Sequence, residues 1–243
     1  LIAARNGKQS IEKSDFLAAI DRIIGGLEKR GNIISPDEKK TIAIHESGHA
    51  TVSWMLKHAS PLVKVTIVPR GKSLGAAWYL PEERHITTTE QLMDEMAALL
   101  GGRAAEEVLI GKVSTGALND LERATKQAYA MVVYYGLSKL GNISYYDSSG
   151  EREYSFSKPY SEKTAEEIDR EVHNIIDEAY QTAKKILSEN KDKLTQLAKQ
   201  LQEKEVIFTE DMEKIYGKRA FEIENIEQPK EDKTTENSEN ITA

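Results

Sequence analysis

The sequence predicts a mainly α-helical fold carrying one small β element. Three stretches predict it: a capped helical run from Pro36 to about Ala59, a long amphipathic stretch from Ser161 to Leu187, and one β-branched run between Leu62 and Val68. In chain order, Ser35-Pro36-Asp37-Glu38 opens the first helix, with Ser35 as N-cap, Pro36 at the first helical position and Glu38 completing a capping box. Ser60-Pro61 closes it. Leu62-Val63-Lys64-Val65-Thr66-Ile67-Val68 alternates apolar and polar in part and ends in a Pro-Arg-Gly turn, so it reads as a strand. Leu99 to Glu107 is helical in character, and its adjacent Gly101 and Gly102 are expected where another helix packs closely. Ser114 to Thr125 opens a further helix, apolar through Met131, Val132 and Val133 and stopping at Gly136. The tyrosine-rich region after it reads as a surface excursion, with a short strand at Ile143 to Tyr146. The Ser161 to Leu187 helix places Ile168, Val172, Ile175, Ile176, Ala179, Ala183, Ile186 and Leu187 on one stripe, and shorter helices follow at Lys191 to Glu203 and Thr209 to Tyr216. That stripe has two possible destinations, the core of one subunit or a neighbouring subunit.

Composition narrows the function classes. With 39% hydrophobic and 30% charged residues, the 243-residue chain is globular, long enough for one good core plus appendages. No run approaches the roughly eighteen apolar residues of a membrane span, and the start shows no secretory signal. The net charge of −7 is largely a tail property: Glu222 to Ala243 holds seven acidic and two basic residues, a net of −5, leaving −2 for the rest. The body therefore lacks the basic stripe that nucleic-acid binding requires. The last fifteen or so residues carry almost no large apolar group and are expected to be disordered, in an acidic tail spanning 221–243. The chain contains no cysteine, which excludes thiolate metal sites, cysteine nucleophiles and disulfides together.

The most informative stretch is His45-Glu46-Ser47-Gly48-His49. On a helix, residues four apart leave the same face one above the other, so two imidazoles can meet one ion, with Glu46 placed to reach water on it. Ile42, Ala43, Ala50, Val52 and Met55 give the same helix apolar surface to bury, so the histidines are expected to enter the protein. A catalytic zinc takes three protein ligands, and without cysteine the third must be His, Asp or Glu. Val52 and Met55 stand where an elongated H-E-x-x-H-x-x-G-x-x-H pattern needs glycine and histidine, so that pattern is excluded. His58 falls on the opposite side of the helix, and His85 and His173 read as solvated or structural. Asn119 or Asp120 fits a helix-start cap as well as a ligand, and composition alone leaves the two open.

Taken together, Ile44 to Ala50, Val68-Pro69-Arg70-Gly71, Leu99 to Glu107 and Ser114 to Thr125 resemble the peptidase domain of the FtsH family of membrane-anchored, ATP-dependent AAA+ zinc metalloproteases. The resemblance covers most of Ile33 to Asp147 and, less specifically, the helices to Gly217. It departs from the family pattern at Ser47 and at Ala76-Ala77-Trp78. It implies a helical zinc-peptidase domain over 33–220, with a small β-sheet and an edge strand near the active site. Residues 1–32 would be the last helices of an AAA+ lid subdomain. One Zn2+ per chain would be held by His45, His49 and Asp120, Glu46 would be catalytic, and Glu106 and Glu107 would support the site. Val65, Thr66, Ile67 and Val68 would present an edge to an extended substrate, whereas an ordinary core strand is the competing reading.

The resemblance also implies unfolded polypeptides as substrates and a homo-hexameric ring. The parent would sit in the inner (plasma) membrane through an upstream anchor, its peptidase domain facing the cytoplasm, and this part alone would be soluble. No G-x-x-x-x-G-K-[ST] phosphate loop occurs, so ATP would act only through an AAA+ module upstream, consistent with a chain that starts at leucine. Two other readings stand beside the peptidase: a zinc hydrolase of another substrate class, and a non-enzymatic helical scaffold in which the motif is incidental.

Overall fold

The computed structural model describes residues 1–24, 26, 34–70, 74–80, 85–146 and 158–221. Two helices, α1 (Ile2–Arg5) and α2 (Lys13–Ile24), pack on each other at the start. The expected boundary near residue 32 and the tail from 222 onward lie outside the described residues.

Helix α3 (Pro36–Met55) is the centre of the molecule. Its start follows the cap and proline signals, the Ser35 side chain accepting the Glu38 N–H at 3.2 Å and Pro36 occupying the first turn, where no N–H is needed, but the return bond from the Glu38 side chain that would complete a capping box is not among the described hydrogen bonds. Every residue from Ala43 to Trp54 is buried. The helix is therefore enclosed on all sides rather than laid along a surface. It ends four residues earlier than its sequence predicts, because other segments accept the work of satisfying the chain beyond Met55. The Arg219 guanidinium donates to the carbonyls of Leu56 and Ala59, Ser53 donates to that of Ser60, and Asp94 accepts the His58 N–H.

Strands β1 (Leu62–Thr66) and β2 (Ala76–Tyr79) form an antiparallel pair, with Val65 opposite Ala77 and an irregularity between Leu62 and Lys64. Helix α4 (Thr89–Ile110) starts at a complete capping box, in which Thr88 and Gln91 satisfy each other's backbone N–H groups, and stops at Gly111 with φ +73°. A single 3-10 turn at Thr115–Ala117 leads into α5 (Leu118–Val133). No strand forms at 143–146. Tyr145 and Tyr146 instead pack on the helical core, and the Tyr145 N–H is taken by the Val133 carbonyl at 2.9 Å. Helices α6 (Glu162–Glu189) and α7 (Lys191–Lys204), strand β3 (Val206–Phe208) and helix α8 (Thr209–Tyr216) complete the described chain.

The sheet order is β2-β1-β3, all antiparallel. This corrects one expectation. The strand carrying Val65 and Thr66 is the central one, paired on both sides, and the Ile67 N–H is bonded to the Glu205 carbonyl. Val65 is fully buried, Thr66 and Ile67 nearly so, and Val68 lies beyond the strand. The reason is β3, which arrives from far along the chain and occupies the edge that β1 would otherwise show. Of the described strands, β2 keeps an outer edge, and it lies beside the cleft discussed below.

Two apolar clusters meet at α3. One joins it to α4, α5 and α6 through Val52, Met96, Leu100, Met131, Ile168 and Leu187, so the stripe on α6 is spent within this subunit. The other joins Ala43, Ala50 and Trp54 to Val65, Leu201, Ile207 and Met212 beneath the sheet. Each fully buried Leu, Ile or Met contributes about 1.5–3 kcal/mol. Ser47 is the misfit: fully buried, its Oγ has no hydrogen-bond partner. Ser47→Ala is therefore expected to stabilise the protein by about 1 kcal/mol, read as a raised denaturant midpoint with unchanged slope. An unchanged or lowered midpoint would mean that the hydroxyl is satisfied.

Candidate metal centre

Glycines bring the site together. At Gly48 a Cβ would collide with the Gly101 backbone and Ala105, and at Gly102 it would lie 2.5 Å from His45 Nε2 and 2.6 Å from His49 Nε2. Only hydrogen at these positions lets α4 lie against the motif-bearing face of α3. The close helix approach expected from Gly101-Gly102 is thus present, and the helix that approaches is the one bearing the histidines.

Three side chains converge from two helices. His45 and His49 project from adjacent turns of α3, and Asp120 from the first turn of α5. The two Nε2 atoms are 3.1 Å apart, and Asp120 Oδ2 lies 3.4 Å from His45 Nε2 and 3.6 Å from His49 Nε2. Donors bound at 2.0–2.1 Å around a tetrahedral zinc lie about 3.3 Å from one another. Among the described residues these three form the only grouping of at least three His or carboxylate side chains with that proximity. Asp120 is no cap: α5 starts without a side-chain cap hydrogen bond.

The hydrogen bonds behind the imidazoles set their tautomers. His45 Nδ1 donates to Glu106 Oε1 at 2.7 Å, and His49 Nδ1 donates to the Ala98 carbonyl at 2.8 Å. A carbonyl and a carboxylate only accept, so both protons sit on Nδ1 and both Nε2 lone pairs face the same point. Two lone pairs and a carboxylate aimed at one another call for a cation between them, and an N,N,O donor set suits zinc. A proton answers the same demand for positive charge. Burial works against charge on His45, but hydrogen bonds to Asp120 and Glu106 outweigh it and raise its pKa to about 9. Burial also opposes ionisation of Asp120, yet both imidazoles hold its carboxyl well below the usual range.

Glu46 is buried one step along α3, and Gly75 gives it room: a Cβ there would lie 2.6 Å from its Oε1. Burial raises its pKa, against the pull of the two histidines. Glu106 and Glu107 part company. Glu106 is almost fully buried, holds His45 and accepts from the N–H and Oγ of Ser114. Glu107, expected beside it, points the other way and takes the Tyr180 hydroxyl and Lys184 of α6. Consecutive helical residues diverge by about 100°, and here that rotation carries Glu107 away from the site and toward α6. The Ala98 carbonyl and Gly75 escape sequence reasoning, since a backbone acceptor and a missing side chain leave no chemical signature, and Ser114 is legible there only as the start of a segment and not as a partner of Glu106.

The site opens into a cleft of about 930 Å³ between α3, β2, α4 and α5, lined at its floor by His45, Glu46, His49 and Tyr79 and at its wall by Gly75 to Ala77. A metal-binding triad with an adjacent buried carboxylate, opening into a cleft, is suited to hydrolysis. Residues 32–215 match peptidase family M41. The chain belongs to peptidase family M41. Among its relatives within and beyond bacteria, it is 62% identical over 245 residues to the ATP-dependent zinc metalloprotease FtsH of Parabacteroides distasonis, covering 98% of this chain and 36% of that protein. Identity is 53% to the protein of the same name from Rhodothermus marinus, over 91% of this chain and 32% of that one. It is 47% to the mouse mitochondrial inner membrane m-AAA protease component AFG3L2, over 91% and 28% respectively. This M41 chain thus spans about a third of the length of the relatives it matches.

Proposed function

We propose that this M41 chain is the zinc-dependent endopeptidase part of an ATP-dependent protease, cleaving unfolded polypeptides. The observation that carries the reading is the convergence of His45 Nε2, His49 Nε2 and Asp120 Oδ2 with both Nδ1 protons already committed. These three residues would hold the ion. When bound, zinc supplies a Lewis acid that acidifies water and polarises the scissile carbonyl. Glu46, buried beside the triad, takes the proton from the attacking water and passes it to the leaving amine, so that water and amide become carboxylic acid and amine. Glu106 keeps His45 oriented and its proton on Nδ1. The free outer edge of β2, at Ala76 to Tyr79, is positioned to pair with an extended substrate through backbone hydrogen bonds, the part expected of Val65 to Val68.

The relatives' names carry ATP dependence and, for AFG3L2, an inner-membrane m-AAA protease, and the wider setting that we infer goes beyond those words. An AAA+ module delivers unfolded chain by ATP hydrolysis, six copies close a ring, and a membrane anchor elsewhere in the protein holds the peptidase domain toward the cytoplasm. No described helix is long and apolar enough to cross a membrane. Residues 1–32 belong in this reading to the end of the AAA+ lid, and residues 33–220 to the peptidase.

The test is metal content by elemental mass spectrometry, on the chain and on Asp120→Ala together. One zinc per chain is expected in the parent, and at least a tenfold weaker zinc affinity in the variant. Equal zinc in both would move the third ligand away from Asp120. No zinc in either after metal is supplied would overturn the reading.

A further inference from the structure

The metal-binding groups use up most of the charge in the cleft. Glu46, Glu106 and Asp120 all face the two imidazoles. Beyond them the described lining holds one further carboxylate, Glu95, and one guanidinium, Arg123. Gln127 reaches toward Glu95 from α5 and donates to the Leu92 carbonyl of α4. Arg123 makes no ion pair or hydrogen bond with any described residue.

Its placement follows from helix geometry. Arg123 is three residues after Asp120, so both leave the same face of α5, about 4.5 Å apart along the axis. Helices α3 and α4 run antiparallel: Gly102 lies at His45 and His49, Ala98 at His49, and Asp94 at His58. Helix α5 runs antiparallel to α4 in turn, from Asp120 at the metal centre to Gln127 beside Leu92. Arg123 therefore stands on the His49 side of the cleft, whose lining also includes Ser53, Ser60 and the half-buried Tyr79, and its charge acts on the Tyr79 hydroxyl. An extended substrate advances about 3.3 Å per residue. A guanidinium one helical turn from a ligand thus meets side chains one or two residues from the scissile bond.

We infer that Arg123 is a specificity-determining residue that binds an aspartate or glutamate side chain of the substrate within two residues of the cleaved bond, on the His49 side of the cleft. The assignment rests on the peptidase reading above. Guanidinium and carboxylate pair through two parallel N–H donors, and Arg123 is free to offer them. Its exposed rim position sets the scale: such a pair shifts kcat/KM by about three- to fivefold, and salt weakens it.

The experiment uses the zinc-loaded chain with quenched fluorogenic peptides that differ only in Glu, Gln or Lys at the positions flanking the bond. The unaltered chain is expected to cleave the best-placed Glu peptide about three- to fivefold faster than its Gln counterpart, less so at high salt. Arg123→Ala abolishes that ratio, and Arg123→Glu inverts the order in favour of Lys. A Glu/Gln ratio unchanged across the three proteins overturns the inference, and so does a loss that falls equally on all peptides. A chain that binds zinc and cleaves none of them overturns the peptidase reading and the inference with it.

Discussion

Glu46→Gln is expected to leave zinc bound and to lower hydrolysis of an unfolded protein substrate by about a thousandfold. The amide has the shape of the carboxylate and fits the same buried space under Gly75, so the backbone and the three converging donor atoms have no reason to move. What it lacks is a group able to accept and return a proton, a step that contributes about 10²–10⁴ in rate. Parallel assays of kcat/KM and bound zinc test this. Loss of both together would make Glu46 a structural residue, and retention of both would place the base elsewhere, among the other carboxylates of the cleft.

The second large effect is expected from a residue with no side chain. Gly102→Ala puts a methyl group 2.5 Å from His45 Nε2 and 2.6 Å from His49 Nε2, inside the volume an ion and its donors must share. Backing α4 away to make room would open the close packing of Gly101 against Gly48 one residue earlier. Alanine improves helix propensity by about 1 kcal/mol, but overpacking costs about 1–3 kcal/mol, so the fold persists with a modest loss. Zinc affinity should fall about a hundredfold, by analogy with the loss of groups that orient ligands. Competition against a chelator measures it, with circular dichroism to establish that the helices remain. Parental affinity would show that the two helices are not held at this spacing.

How far each feature was legible depended on the distance over which its cause acts. His45, Glu46 and His49 share one helix, and the cap at Ser35 sits ten residues upstream, so local pattern sufficed for both. The amphipathic run of α6 declared itself for the same reason. Asp120 was reachable only through resemblance, because a carboxylate in the first turn of a helix has an equally good local role as a cap, and its approach to α3 depends on packing through α4. The choice between Glu106 and Glu107 required the helix's rotation against its neighbours. The position of β1 in the sheet turned on β3, a segment of three residues whose pattern is too short to announce its partner. The early end of α3 needed Arg219, which is equally remote.

The late arrival of β3 has a consequence for how the protein is made. The Thr209 hydroxyl that ties the following helix to the Leu62 carbonyl is 147 residues downstream of it. During synthesis from the N-terminus, the hairpin of β1 and β2 emerges with the motif helix long before Val206–Phe208 leaves the ribosome. For that interval β1 presents an apolar, hydrogen-bonding margin of the kind that recruits stray strands. Interruption of translation before residue 206 would therefore yield a nascent chain already holding all three metal donors yet prone to self-association, whereas eleven more residues would supply both the missing strand and its anchoring helix.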